Sequence, residues 1–218
     1  MSQVLERLGE LALVPVVMIE DAADAARLGK ALLDGGLPCA EITFRTEAAE
    51  DAIKSIRSTI PEIITGAGTV LTVDQAEAAV EAGAQFIVAP GFNPRVVDWC
   101  LEHDVPVTPG VVTPTEIEMA MSKGINILKF FPAQAMGGIA TLKAIATPYR
   151  GVRFIPTGGI DATNLADYLA LPMVHACGGS WMVKPSLIAA GKFSEITRLT
   201  QEAVAIVHQQ RVREETNE

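Results

Sequence analysis

Short apolar runs alternate with amphipathic stretches along the whole chain. The runs are Val14–Met18, Ala40–Phe44, Thr65–Thr69, Phe86–Ala89, Val107–Pro109, Ile127–Phe131, Arg153–Thr157 and His175–Gly178. A segment with helical spacing follows each. After the first, Asp24, Arg27, Lys30 and Asp34 fall on one helical face, with Ala25, Leu28, Leu32 and Leu33 available for the other. Chemical markers start the helices. Thr72–Gln75 and Thr113–Glu116 have capping-box spacing, and Pro94 and Pro114 suit a first helical turn, where the missing N–H costs nothing. Gly35, Gly83, Gly124 and Gly191 are expected stops.

Eight strand–helix units require parallel strands with crossover helices, and eight suffice to close a barrel. The expected architecture is α/β: a single (β/α)₈ barrel over 1–218, with an extra N-terminal helix over 2–11 and a charged tail fraying over about 210–218. The alternative is an open doubly wound sheet. Its first strand usually leads into GxGxxG, and none follows Met18. No linker or second domain interrupts the pattern.

Bulk properties narrow the function. At 218 residues, 49% hydrophobic and 20% charged, the chain reads as an ordinary folded globule. The longest apolar run, Leu11–Ile19, is too short to span a bilayer and no basic segment precedes it, so a cytoplasmic location and no membrane partner are expected. Cys39, Cys100 and Cys177 form no CxxC and read as buried thiols. A formal charge of −9 argues against nucleic acid. It also means that an anionic substrate would need local cations and backbone N–H groups to hold it.

Candidate chemistry falls at the C-terminal ends of the runs, where barrel enzymes keep their active residues. In the second run, period-two alternation puts Glu41, Thr43 and Arg45 on one face and Ala40, Ile42 and Phe44 on the other. The apolar set suits the helices, so the polar set points inward. A buried carboxylate needs a partner, and an internal Glu41–Arg45 ion pair is one structural explanation. In the sixth run, Ile127, Lys129 and Phe131 share a face. An inward Lys129 would reach the mouth beside Glu41. Burial and a nearby guanidinium both favour the free amine, the form that attacks a carbonyl. A lysine snorkelling from the barrel end is the alternative. The other six lysines (Lys30, Lys54, Lys123, Lys143, Lys184 and Lys192) lie in helical or loop contexts and are expected to be solvated.

The seventh run ends Thr157-Gly158-Gly159 and the eighth Gly178-Gly179-Ser180. Paired glycines after these two strands match the usual phosphate site of such barrels, although each pair alone could be a plain turn. Thr69, ending the third run, offers a hydroxyl and is equally suited to a turn or cap.

Together the blocks Glu41-Ile42-Thr43-Phe44-Arg45-Thr46, Gly66-Ala67-Gly68-Thr69-Val70, Lys129-Phe130-Phe131-Pro132-Ala133, Pro156-Thr157-Gly158-Gly159-Ile160 and Gly178-Gly179-Ser180-Trp181 resemble the 2-keto-3-deoxy-6-phosphogluconate (KDPG) aldolases, a family also described as 4-hydroxy-2-oxoglutarate (KHG) aldolases. The match runs in order from about Val14 to the last helix; Phe44 stands where many members have another apolar residue, and Gly110–Thr115 departs modestly from the common form. The resemblance implies a homotrimeric class I aldolase that needs no metal or other cofactor and takes a small phosphorylated 2-keto acid. It implies Lys129 as Schiff-base lysine and Glu41 as proton shuttle. It places Arg45 and Thr69 at the pyruvate end, Thr157, Gly158, Gly159, Gly179 and Ser180 at the distal hydroxyls and phosphate, and Pro90 along the wall. The rival readings are an aldolase for another 2-keto-3-deoxy acid such as the galactonate epimer, a phosphosugar isomerase or epimerase, and a non-catalytic phosphosugar-binding barrel.

Overall fold

The computed structural model describes residues 2–217. Its parallel strands are β1 (Leu13–Val17), β2 (Cys39–Thr43), β3 (Ile64–Gly68), β4 (Ile87–Val88), β5 (Val107–Thr108), β6 (Gly110–Val111), β7 (Ile127–Phe130), β8 (Arg153–Pro156) and β9 (Cys177–Gly179). They run β5-β4-β3-β2-β1-β9 in one sheet and β6-β7-β8 in the other. Bridges Phe154↔Val174 and Thr157↔Gly178 join β8 to β9. β5 and β6 are one barrel strand broken at Pro109. Before the proline it pairs with β4, through Val88↔Thr108; after it, with β7, through Gly110↔Lys129. Proline has no N–H to give to a ladder, and its carbonyl accepts from Lys129 N at 2.9 Å. The eight expected units thus close into a (β/α)₈ TIM barrel.

Helices α2 (Ala25–Asp34), α3 (Ala49–Thr59), α4 (Val73–Glu81), α5 (Pro94–Glu102), α6 (Pro114–Ser122), α7 (Gly138–Ala146), α8 (Leu165–Leu169) and α10 (Phe193–Asn217) follow the strands, and the short α9 (Pro185–Ala189) precedes α10. The caps are those the sequence predicts. Thr113 and Glu116 form the full capping box of α6, Thr72 accepts from Gln75 N at α4, and Pro94 and Pro114 occupy first-turn positions. Gly83, Gly124 and Gly191 take left-handed φ, but after α2 that conformation belongs to Gly36 (φ 83°) and not to Gly35. Gly35 is required for another reason: a Cβ there would lie 2.6 Å from Thr200 of α10.

The N-terminal helix α1 (Gln3–Leu11) is capped by Ser2 and closes the bottom of the barrel. Its Leu8 is buried and faces an inner cavity with Val14, Glu41, Phe86, Val88, Thr108, Lys129, Ile155 and Thr157. Large and small residues alternate across the interior. A Cβ at Gly66 would lie 2.3 Å from the Phe86 ring, so Phe86 fills the space that Gly66 leaves. α10 continues to Asn217, and residue 218 of the charged tail lies outside the described residues. Arg211 anchors this helix by donating to the Gly9 and Glu10 carbonyls at the end of α1. Among the described residues no helix is long and apolar enough to cross a membrane.

Candidate active site

Glu41 and Lys129 point into the barrel, as alternation predicts, and meet each other. Lys129 Nζ donates to Glu41 Oε1 at 3.2 Å, with both side chains about 95% buried. The registers bring them together: Glu41 sits opposite Gly66 on β3, and Lys129 opposite Gly110 on β6 and Ile155 on β8. Gly68 leaves room for the carboxylate, because a Cβ there would stand 2.1 Å from Glu41 Oε1. The Phe131 ring centroid lies 5.2 Å from Nζ, close enough for its π face to attract an ammonium. Two buried charges off water are costly unless paired; this pair meets that condition.

The Glu41–Arg45 ion pair is not formed. β2 ends at Thr43, so Arg45 is past the strand and no longer bound by its alternation. It is exposed at the mouth, where its Nε donates to Thr69 Oγ1 at 3.0 Å. Thr69 itself has φ 57°. This is a rare backbone for a β-branched residue and costs about 1–3 kcal/mol. Strain of this kind clusters at functional sites. Thr43 holds the neighbouring strand, donating to Val17 O at 2.8 Å. All six other lysines are exposed.

Above the pair opens a cavity of about 230 Å³. Seven of the ten predicted residues line it: Arg45, Lys129, Thr157, Gly158, Gly159, Gly179 and Ser180. Glu41 lies beneath it, reached through Lys129, and Thr69 behind it, reached through Arg45. Pro90 is not among the lining residues; its carbonyl packs against Gly110, where a Cβ would come within 2.1 Å. Sequence reasoning missed the apolar walls Met18, Ile160 and Pro185, whose residue types carry no chemical signature. The only charges among the lining residues are the two cations Arg45 and Lys129. That local sign is opposite to the net charge of −9 and suits an anion.

The glycine loop after β8 is rigidly braced. Gly158 and Gly159 both have left-handed φ (98° and 78°), a conformation glycine adopts without a Cβ penalty. Their carbonyls are engaged by Gln134 N and Asn164 Nδ2, each at 3.0 Å. Asn164 Oδ1 in turn accepts from Asp161 N, and Asp161 accepts from Thr163 Oγ1 at 2.6 Å and N at 2.8 Å. Those Thr163 hydrogen bonds hold the Asp161 carboxyl below the usual carboxylate range. On the other side, a Cβ at Gly178 would meet Thr157 Oγ1 at 2.3 Å and one at Gly179 the Trp181 ring at 2.0 Å.

The three cysteines are buried and unpaired. Burial pushes the Cys39 and Cys177 thiols up, and Cys100 to about 12, so they are not poised as nucleophiles. Among the described residues no group of three or more His, Cys, Asp and Glu could hold a metal ion.

An amine and a carboxylate in hydrogen-bond contact, at the C-terminal mouth of a (β/α)₈ barrel and under a cationic cavity, define a lysine-dependent carbonyl enzyme. Residues 4–199 match the family model described as KDPG and KHG aldolase, and the chain belongs to that family of class I aldolases. It is 53% identical over 207 residues to the 2-dehydro-3-deoxy-phosphogluconate aldolase of Treponema pallidum, covering 95% of this chain and 99% of that one. It is 45% identical over 191 residues to the KHG/KDPG aldolase of Escherichia coli K12, covering 88% and 90%. Among solved structures it resembles a KDPG aldolase of Legionella pneumophila with pyruvate captured as a covalent carbinolamine. There the TM-score is 0.88 and the identity 38%, with 92% and 97% of the chains covered.

Proposed function

We propose that this enzyme cleaves 2-dehydro-3-deoxy-6-phosphogluconate to pyruvate and glyceraldehyde 3-phosphate, and also 4-hydroxy-2-oxoglutarate to pyruvate and glyoxylate. The observation that carries the reading is the buried Lys129–Glu41 contact under an acid-free cavity. The hydrogen bond between them is a ready path by which Glu41 takes a proton from Nζ. The freed amine attacks the C2 ketone, giving a carbinolamine. Glu41 then returns a proton to the departing hydroxyl, and water leaves as the imine forms. The cationic imine accepts the electron pair of the C3–C4 bond while Glu41 removes the C4 hydroxyl proton, directly or through one water. The aldehyde departs, the enamine left on Lys129 is protonated at C3, and water hydrolyses the imine to release pyruvate. A positioned base of this kind contributes on the order of 10²–10⁴-fold.

In this reading Arg45, whose Nε donates to Thr69, pairs with the substrate carboxylate, a role that its planar fork of donors suits. Thr157, Gly158, Gly159, Gly179 and Ser180 form the far side of the cavity, where a hydroxyl and backbone amides can take the distal hydroxyls and phosphate. Pro90 acts on this site indirectly, by packing on the strand that carries Gly110 beside Lys129. The reading includes a homotrimer in the cytoplasm; light scattering tests the assembly by giving three times the chain mass.

Borohydride reduction in the presence of pyruvate tests the chemistry. One reduced pyruvate should appear in the intact mass and map to the peptide carrying Lys129. Lys129→Ala should abolish it, and Glu41→Gln should slow turnover while still allowing trapping. An adduct undiminished in Lys129→Ala would move the nucleophile elsewhere.

A further inference from the structure

A second cationic cavity lies at the opposite end of the barrel, beneath the N-terminal ends of the strands. It measures about 190 Å³, well above the ~10–15 Å³ that one water needs. Its walls come from α1 (Gly9), the start of β8 (Arg153), the approach to β9 (His175) and α10 (Val207 and Arg211). Among the described side chains no carboxylate lines it. Arg211 reaches across to the Gly9 and Glu10 carbonyls, and Arg153 Nη1 stands 3.5 Å from His175 Nδ1. Among the side chains described, those of residues 2–213, no carboxylate pairs with either guanidinium, and the nearby Glu10 carboxylate is taken by Arg7 at 2.6 Å. Two guanidinium groups thus line one cavity in a chain of net charge −9, giving it a local sign opposite to that of the chain.

We propose that this basal cavity is a binding site for a phosphate-type oxyanion, held by Arg153 and Arg211. Guanidinium forks match tetrahedral oxyanions in two-point hydrogen bonds. The bound ion would bridge β8 and α10 and so fasten both to α1, whose Leu8 forms the floor of the inner cavity below Glu41 and Lys129. It is separate from the catalytic mouth and shares no residue with it.

His175 is a built-in reporter, one of only three histidines in the chain. Its ring resonances are followed by NMR while inorganic phosphate, or separately the monoester glycerol 2-phosphate, is added at constant ionic strength. Saturable movement of the His175 signals with either probe supports the site, and the tighter probe identifies the natural source as free ion or ester. Arg153→Gln and Arg211→Gln should each weaken the saturation at least tenfold, with Arg153→Lys weakening it less, and aldol turnover should stay within twofold of the parent in all three. A response no larger than that to sodium chloride overturns the proposal. So does a response undiminished in both glutamine variants, since an ion at the mouth does not touch either arginine. Turnover is the check that each variant is folded.

Discussion

Gly68 lies directly against Glu41: a Cβ built on the glycine would stand 2.1 Å from Oε1 and 2.7 Å from both Cγ and Cδ. A carboxylate terminus alone could swing aside. Here three atoms of the side chain are crowded at once, and Lys129 ties the far end at 3.2 Å. Gly68→Ala should therefore push the carboxylate off Nζ. The backbone of Gly68 is not left-handed, so alanine adds no conformational strain. The expected result is a fall in kcat of at least tenfold with KM changed less than threefold, and a borohydride adduct that forms slowly but completely. Turnover equal to the parent would show that Glu41 does not need its present position.

The buried pair makes a separable prediction about stability. Lys129→Met alone strands Glu41 without its partner at 3% exposure. Removing one member of a buried pair costs about 3–5 kcal/mol, whereas replacing both by apolar residues is often neutral or stabilising. The double variant Lys129→Met with Glu41→Leu should then regain the parent's urea midpoint or exceed it, while remaining inactive. Equal losses that simply add would mean that the two charges are not coupled, contrary to their contact.

Much of this was legible in the sequence, for identifiable reasons. Eight apolar runs gave the barrel, and Lys129 inside Ile127–Phe131 gave an inward amine, because alternation fixes which face a side chain takes once the apolar face is known. What alternation does not contain is distance across strands. An inward Lys129 beside Glu41 was expected, but their contact at 3.2 Å, and the absence of the alternative Glu41–Arg45 pair, depend on barrel registers such as Gly110↔Lys129. Arg45 lies two residues past the end of β2, where period two no longer applies. The break at Pro109 and the docking of Arg211 on the end of α1 are both set by tertiary neighbours. The bracing of the Gly158–Gly159 loop by Asp161 and Asn164 was readable in principle, because Asp and Asn after a glycine pair are turn formers.

Thr69 combines an unfavourable φ of 57° with the only hydroxyl that Arg45 Nε touches. Thr69→Gly relieves the backbone and loses the hydroxyl. The chain should keep or gain stability, by up to about 1 kcal/mol after the added entropy of the unfolded glycine is counted. The affinity for pyruvate in the trapping reaction should fall severalfold, because Arg45 is no longer held. Thr69→Ser should preserve that affinity. A loss of stability in Thr69→Gly would show that the hydroxyl matters more to the fold than the strain does.

His175 gives the stability of the barrel base a pH dependence of known sign. It is 7% exposed; Nε2 lies 2.7 Å from the Leu5 carbonyl and Nδ1 faces the Arg153 guanidinium. A carbonyl only accepts and a guanidinium only donates, so the ring is neutral with its proton on Nε2. Burial holds its pKa below the ordinary 6.5, against the upward pull of the Leu5 hydrogen bond and with a lesser downward push from the Arg153 charge. The unfolded chain takes up this proton as pH falls through about 6.5, and the folded chain does so only at lower pH. Below 6.5 the unfolded state therefore binds more protons, and stability declines as the solution is acidified. The decline stops once the pH is below the folded value. His175→Gln, which keeps an amide donor near Leu5 O, should have a lower Tm at pH 7.5 but lose less on going to pH 5.5 than the parent does. An identical drop in the two proteins would assign the acid sensitivity to the carboxylates, and would mean that the ring beneath α1 takes up its proton alike in the folded and unfolded chains.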